Sequence, residues 1–141
     1  MDTAVIAGLS KRMTAFLETG AAPERLFHPD AVLDVSMPIW RIQALEVEDL
    51  IRVRKDNHPC PGKVTPTRLD PTPNGFVLEF EERWEHGGQH WYCREMLRAD
   101  VRDGQISNLT VYCTGDWDEA RQQEYAHSTD GPDASPARRG R

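Results

Sequence analysis

The order of elements along this chain predicts an α+β domain, with helices gathered on one face of a mostly antiparallel sheet. Three observations lead there. Up to Asn57, apolar residues recur at helical spacing around a single strand-like run. From Lys63 onward the spacing changes to strict alternation, the mark of half-buried strands. That second half is punctuated by Pro-Thr-Pro-Asn-Gly, Gly87-Gly88 and Asp103-Gly104, each a hairpin turn between alternating segments.

Residues 3–19 read as an amphipathic helix, because Val5, Ile6, Leu9, Met13, Phe16 and Leu17 fall on one face and Gly20 stops it. Pro23 suits a first helical position, which predicts a short second helix over 22–27. AVLDVSM (31–37) alternates like a strand and Pro38 ends it. The stretch 44–57 predicts a third helix with Val47, Leu50, Ile51 and Arg54 on one face, closed by Pro59 and Pro61. KVTPTRLD is a strand whose Pro66 belongs at an edge or a bulge. FVLEFEERW (76–84), HWYCREMLRADV (90–101) and ISNLTVYC (106–113) form a meander, and Asp116 is placed to cap a last helix over 116–126. Residues 1–127 form one domain, and the polar, Pro/Gly-rich segment 128–141 is expected to be disordered.

Several function classes are disfavoured. The chain has 141 residues and a net charge of −6, with no clustered basic face, which argues against a nucleic-acid partner. It has no apolar run long enough for a membrane span and no secretory leader pattern, so a cytoplasmic location is expected. Cys60, Cys93 and Cys113 are odd in number and widely spaced, which reads as free thiols in a reducing compartment, buried as small hydrophobes. His86 and His90 flank a turn without the further ligands a zinc site needs, so no metal is expected. There is no GxSxG, no evident Cys–His dyad and no phosphate-cradling GxGxxG.

The hairpins fix which residues face inward. A two-residue turn at Gly87-Gly88 sets Phe76 opposite Ala99, Leu78 opposite Leu97, Phe80 opposite Glu95, Glu82 opposite Cys93 and Trp84 opposite Trp91. That face is apolar apart from Glu82 and Glu95. A carboxyl turned toward a core must be paired, hydrated or neutral, and burial raises its pKa toward the range useful for proton transfer. The structural alternative sets Glu82 in water at the sheet end and pairs Glu95 with an arginine such as Arg41. For Asp103-Gly104, a turn with a glycine bulge is expected, which sets Leu97 opposite Leu109, Glu95 opposite Val111 and Cys93 opposite Cys113. A plain two-residue turn would instead bring Thr110 and Tyr112 inward, making Tyr112 beside Glu95 the fallback pair.

FHPDAVLDV after two helices, together with VRDGQISNLTVYCTGDWD, makes residues 3–126 resemble the SnoaL-like branch of the nuclear transport factor 2 superfamily. That resemblance implies a cone in which a curved sheet wraps the N-terminal helices around a central pocket. It also implies no cofactor and a homodimer formed through the sheet's outer face. Members include polyketide cyclases, ketosteroid isomerase, limonene epoxide hydrolase, dehydratases and non-catalytic binding domains. The family's catalytic positions fall on Val111, Leu97 and Val35 here, with Asp34 beside the last of these. The candidate catalytic set is therefore Glu95 with Asp34 or Glu82. Phe80, Trp84, Trp91, Trp40 and Val111 are the expected pocket walls, Arg41 or Tyr112 the oxyanion stabiliser, and Trp117 a cap at the mouth. The expected function is a cofactor-free cyclase, isomerase or dehydratase acting on an apolar, polyketide-like small molecule. The alternative is a non-catalytic ligand-binding or dimerisation module of the same fold.

Overall fold

Helix α1 (Thr3–Thr19) begins where the Asp2 carboxylate accepts from the Ala4 N–H, and ends at Gly20, whose φ of 76° lets its N–H reach the Phe16 carbonyl. Its buried face carries Ile6, Leu9, Met13 and Phe16. The computed structural model that describes this arrangement covers residues 1–131.

No helix forms over 22–27. The chain turns there instead, with Arg25 at a φ of 63°. Leu26 is fully buried and its carbonyl accepts from the Ile106 N–H at 2.9 Å. Sheet pairing thus begins immediately, which overrides the local preference of Pro23 for a helix start. Strand β1 (Phe27–Met37) accordingly starts four positions before the expected residue 31. Strand β2 (Trp40–Ala44) folds back on β1, with Met37 opposite Trp40 and Leu33 opposite Ala44. The sequence reading missed this short hairpin. It also explains why helix α2 (Val47–Asn57) starts after Ala44 rather than at it.

Strands β3 (Gly62–Thr72), β4 (Gly75–His86), β5 (Gln89–Arg102) and β6 (Gln105–Cys113) complete one six-stranded sheet of order β2-β1-β6-β5-β4-β3. Among the described strands, only β1 and β6 run parallel. Pro66 lies in the edge strand β3, beside the register shift between Pro66 and Arg68, as its missing N–H requires. The β4–β5 register is the expected one throughout, from Phe76 opposite Ala99 to Trp84 opposite Trp91. Gly87 and Gly88 at φ 59° and 75° make the mirror-image turn that matches strand twist.

The β5–β6 register differs from expectation. Leu97 lies opposite Val111, Ala99 opposite Leu109 and Glu95 opposite Cys113. Asp103 and Gly104, at φ 54° and 74°, form a plain two-residue turn with Arg102 opposite Gln105. The extra residue is Ser107, between the pairs Val101–Ile106 and Asp100–Asn108. A bulge inside the strand restores the parity that the turn alone would have lost, so Leu109 and Val111 are buried while Tyr112 is exposed.

The concave face of the sheet and helices α1 and α2 share one core, which includes Phe16, Leu50, Phe76, Leu97 and Ile106. Helix α3 (Glu119–His127) is capped by Asp118, which accepts from the Arg121 N–H, and not by Asp116. Ser128–Gly131 close a turn through a 3.2 Å bond from Gly131 N–H to Ser128 O; the rest of the expected tail lies outside the described residues. Among the described residues, no helix is long and apolar enough to cross a membrane.

Gly75 lies where β4 meets β5 so closely that a Cβ would stand 1.9 Å from the Ala99 carbonyl oxygen. Gly75→Ala is expected to destabilise the protein by about 1–3 kcal/mol through overpacking, read as a lower urea midpoint at unchanged m-value.

Candidate active site

A cavity of about 220 Å³ opens between the helices and the concave face of the sheet. Met13, Phe16 and Leu17 of α1 line it, opposite Leu33, Val35 and Met37 of β1. Leu109 and Val111 extend the wall along β6. The polar lining consists of Arg54, Asn57 and His58 at the end of α2, Glu95 on β5, Cys113 on β6, and Asp116 just beyond.

Glu82 and Glu95 are on adjacent strands and are 3% and 8% exposed. The Arg54 guanidinium grips Glu82 with both arms, Nη1 to Oε2 at 3.2 Å and Nη2 to Oε1 at 2.5 Å, and also donates to the Leu17 carbonyl. Burial opposes ionisation of Glu82, but hydrogen bonds from Glu95 and Arg54 outweigh it and hold the carboxyl below its usual range. Glu95 goes the other way. Burial, the hydrogen bond to Glu82 and the negative charge of Glu82 push it well above the usual carboxyl range. The two carboxyls therefore share one proton, carried by Glu95, while Glu82 stays ionised against Arg54. Glu95 Oε2 and Arg54 Nε are both buried with no hydrogen-bond partner among the described residues.

His58 closes α2, its backbone N–H donating to the Arg54 carbonyl at 2.8 Å. Its ring meets the edge of Trp84 at 4.3 Å between centroids, and its Nε2 lies 3.9 Å from Asp116 Oδ1. Burial and the nearby Arg54 charge lower the His58 pKa, which makes it a neutral imidazole at neutral pH. Partial burial raises Asp116. A neutral acid and a neutral base thus line one apolar cavity, each held in that state by its surroundings.

Two groups, His58 with Glu82 and Cys93, and Cys93 with Glu95 and Cys113, bring ligand-type atoms within 4.8 Å of one another. The Arg54 guanidinium already supplies the positive charge there, and it repels a metal cation in the same space.

The structure sorts the sequence-derived candidates. It brings Glu95 and Val111 to the cavity and sets Glu82 directly behind Glu95. Asp34 does not face inward. Along β1 the odd-numbered residues line the cavity, so Asp34 turns outward and pairs with Arg41, Nε to Oδ1 at 2.8 Å. That pairing is made across the unread β1–β2 hairpin, and it removes Arg41 from the site as well. Trp40, 71% exposed, and Tyr112, 62% exposed, also lie outside. Phe80 is core beneath the carboxyl pair, and Trp84 stacks on Trp91 beside the cavity, its ring against His58. Trp117 does not cap the mouth. It pairs with Tyr92 along the sheet and packs between Tyr92 and Tyr125, anchoring α3.

Neither structural alternative for the carboxyls holds. Glu82 is buried, and its partner is Arg54, while Glu95 meets Glu82 rather than Arg41. Sequence reasoning missed Arg54, His58, Asp116 and Cys113 as site residues. The available signal was Arg54 on the apolar face of α2, a buried cation in need of a buried anion. A Cys–His contact, unexpected from the sequence, sits elsewhere: Cys60 Sγ is 3.3 Å from His86 Nδ1 at the surface.

No protein-family model matches the sequence, and no curated protein does. Solved structures do match. An NTF2-like protein from Anabaena variabilis aligns with a TM-score of 0.66 at 15% identity, over 79% of this chain and 88% of that one. An NTF2-like protein of unknown function from Burkholderia xenovorans aligns at 0.59 and 18% identity, over 85% and 92% of the two chains. An LEH-like epoxide hydrolase from M. tuberculosis aligns at 0.62 and 12% identity, over 79% and 83%. At such identities the likeness is one of architecture, and with three described helices against an open, mostly antiparallel six-stranded sheet, the chain has the NTF2-like α+β cone fold.

Proposed function

We propose that this protein is an acid–base catalyst for a small, apolar, polyketide-like carbonyl compound, working as an isomerase or cyclase with its side chains alone. The observation that carries this reading is the pair of unpartnered polar atoms, Glu95 Oε2 and Arg54 Nε, on residues that line one apolar cavity. A ligand carbonyl oxygen accepting from the Arg54 Nε–H and from the Glu95 hydroxyl satisfies both, the single Glu95 proton then turning from Glu82, which Arg54 still holds, to Oε2. The same two donors stabilise negative charge as it develops on that oxygen. Neutral His58 is the base that removes a proton from the carbon next to the carbonyl, and Asp116 stabilises the imidazolium that results. Returning the proton to a different carbon isomerises the substrate; attack of the enolate on a second carbonyl cyclises it. Glu82 acts through Glu95 and Arg54 as a positioning residue. The shared fold with an epoxide hydrolase supports an enzyme on this scaffold, though not this reaction. We further propose a homodimer through the sheet's outer face, where Met96 and Tyr112 stand exposed among charged pairs such as Arg94–Glu79.

A second reading rests on the proton shared between Glu95 and Glu82. If that proton only clasps the two strands, the cavity binds a ligand without chemistry. Hydrogen–deuterium exchange separates the two readings. A panel of apolar ketones is incubated with the protein in D2O, and loss of the α-proton signal is followed by NMR. Accelerated exchange, reduced about 10²–10³-fold in Glu95→Gln, is the expected result. Ketone binding without exchange in the wild type would establish the binding module instead.

A further inference from the structure

The thiol of Cys113 has no part in the proton-transfer scheme, yet it lines the same cavity. The Ser107 bulge turns it inward, directly opposite Glu95. Beyond it the chain reverses at Gly115, whose φ of 83° aims the Gly115 N–H back at Cys113 Sγ at 3.3 Å. The Cys93 sulfur and a Glu95 carboxyl oxygen also lie within 4.8 Å of that sulfur. A backbone N–H therefore points at a sulfur on the wall of an apolar cavity, with the Cys93 and Glu95 side chains packed around it. The same cavity holds the unpartnered Glu95 Oε2, on a side chain more than nine-tenths buried, and it is that atom which asks for a ligand oxygen.

We propose that Cys113 is a nucleophile that captures α,β-unsaturated carbonyl compounds in this cavity by conjugate addition. The carbonyl oxygen of the enone seats against Glu95 Oε2 and Arg54 Nε. The Cys113 thiolate forms a bond to the β-carbon, the carbon–carbon π pair moves onto the carbonyl as an enolate, and a proton from solvent completes the saturated thioether. The net change is addition of S–H across C=C, and loss of the α-proton followed by the thiolate reverses it.

The other cysteines do not compete. Cys93 is fully buried, and its hydrogen bond with Cys113 and burial push its thiol far up, so it stays protonated. Cys60 is half-buried outside the cavity, beside His86. The groups facing Cys113 are Cys93 and Glu95 from β5, Glu82 behind them on β4, Arg54 and His58 from α2, and Asp116 beyond the strand end. Among them the Cys93, Gly115 and Glu95 hydrogen bonds prevail over burial and the Asp116 charge, bringing the Cys113 thiol down to about 7. A thiol of that pKa is largely thiolate just above neutrality without losing its nucleophilicity.

The test uses the whole protein with 2-cyclohexen-1-one as the enone probe and iodoacetamide as an unselective alkylator, followed by peptide mass mapping. Cyclohexenone is expected to add its mass to Cys113 at least tenfold faster than to Cys60, a preference larger than that shown by iodoacetamide. The pH profile of Cys113 alkylation is expected to inflect near 7. Cys113→Ser, or Cys113→Ala if the serine variant fails to fold, loses the fast adduct. Addition to Cys60 first, or a Cys113 that reacts only after denaturation, would overturn the proposal. The readout is an adduct and not turnover, so it stands or falls independently of ketone exchange.

Discussion

Replacing Arg54 with methionine is expected to lower the unfolding free energy by about 3–5 kcal/mol, the loss typical when one partner of a buried ion pair is removed. The guanidinium side chain is 12% exposed and the Glu82 side chain 4% exposed, so neither charge has water to fall back on. Methionine matches the stem of arginine but leaves the Glu82 carboxylate and the Leu17 carbonyl without their donor. Glu82 must then take up a proton, beside a Glu95 that already carries one. The deficit should therefore grow as pH rises. Urea unfolding at pH 5 and pH 8 measures it. The double variant Arg54→Met/Glu82→Leu tests the cause, because an apolar pair of similar volume in place of a buried ion pair is often neutral or stabilising. If the single variant lies within about 1 kcal/mol of wild type at both pH values, the ion pair is not what holds α2 against the sheet.

That ion pair also marks the limit of what the sequence discloses. Two glycines with forced positive φ set one register, and that register alone put Glu82 and Glu95 on the inner face. Alternation is a strong signal because a one-residue slip would exchange every side chain between core and water. Arg54 was visible on the apolar face of its helix, but its partner is distant in sequence, and no local pattern encodes which inward acid an inward base will meet. Asp34 and Arg41 went astray for the opposite reason. Five residues of β2 are too few to declare a period, and without that hairpin the two charges look like free pocket groups. Ser107 shows a third limit. A bulge is one extra residue with no composition of its own, and here the hydrophobic face revealed its consequence while its place stayed hidden. His58 and Asp116 lie in connections, where periodicity says nothing, and only the folded chain brings them to the cavity that Glu95 lines.

Glu95→Gln is expected to reverse its effect on stability with pH, and the sign follows from which state holds the proton. Free carboxyls titrate near 4.3, whereas Glu95 in the folded chain is held well above that range by burial first and by Glu82 second. Between the two values the folded protein binds a proton that the unfolded chain has released. Stability from this group is thus fully present below the unfolded range and is lost as pH rises through the folded pKa. Glutamine cannot titrate, but its amide still donates to Glu82. At pH 5 the variant should lie within about 1 kcal/mol of wild type, the worth of one neutral hydrogen bond. As pH climbs, the wild type weakens relative to the variant until the variant is the more stable. Glu82 and His58, both lowered in the folded state, contribute the opposite slope, stability lost as pH falls, but they are present in both proteins and cancel in the difference. Paired thermal melts from pH 5 to pH 9 read the crossover. A constant loss at every pH would mean that Glu95 is a hydrogen-bonded clasp with an ordinary pKa. A crossover together with lost ketone exchange would mean that the protein keeps a destabilising carboxyl for the chemistry it performs, since a merely structural position gains from the glutamine.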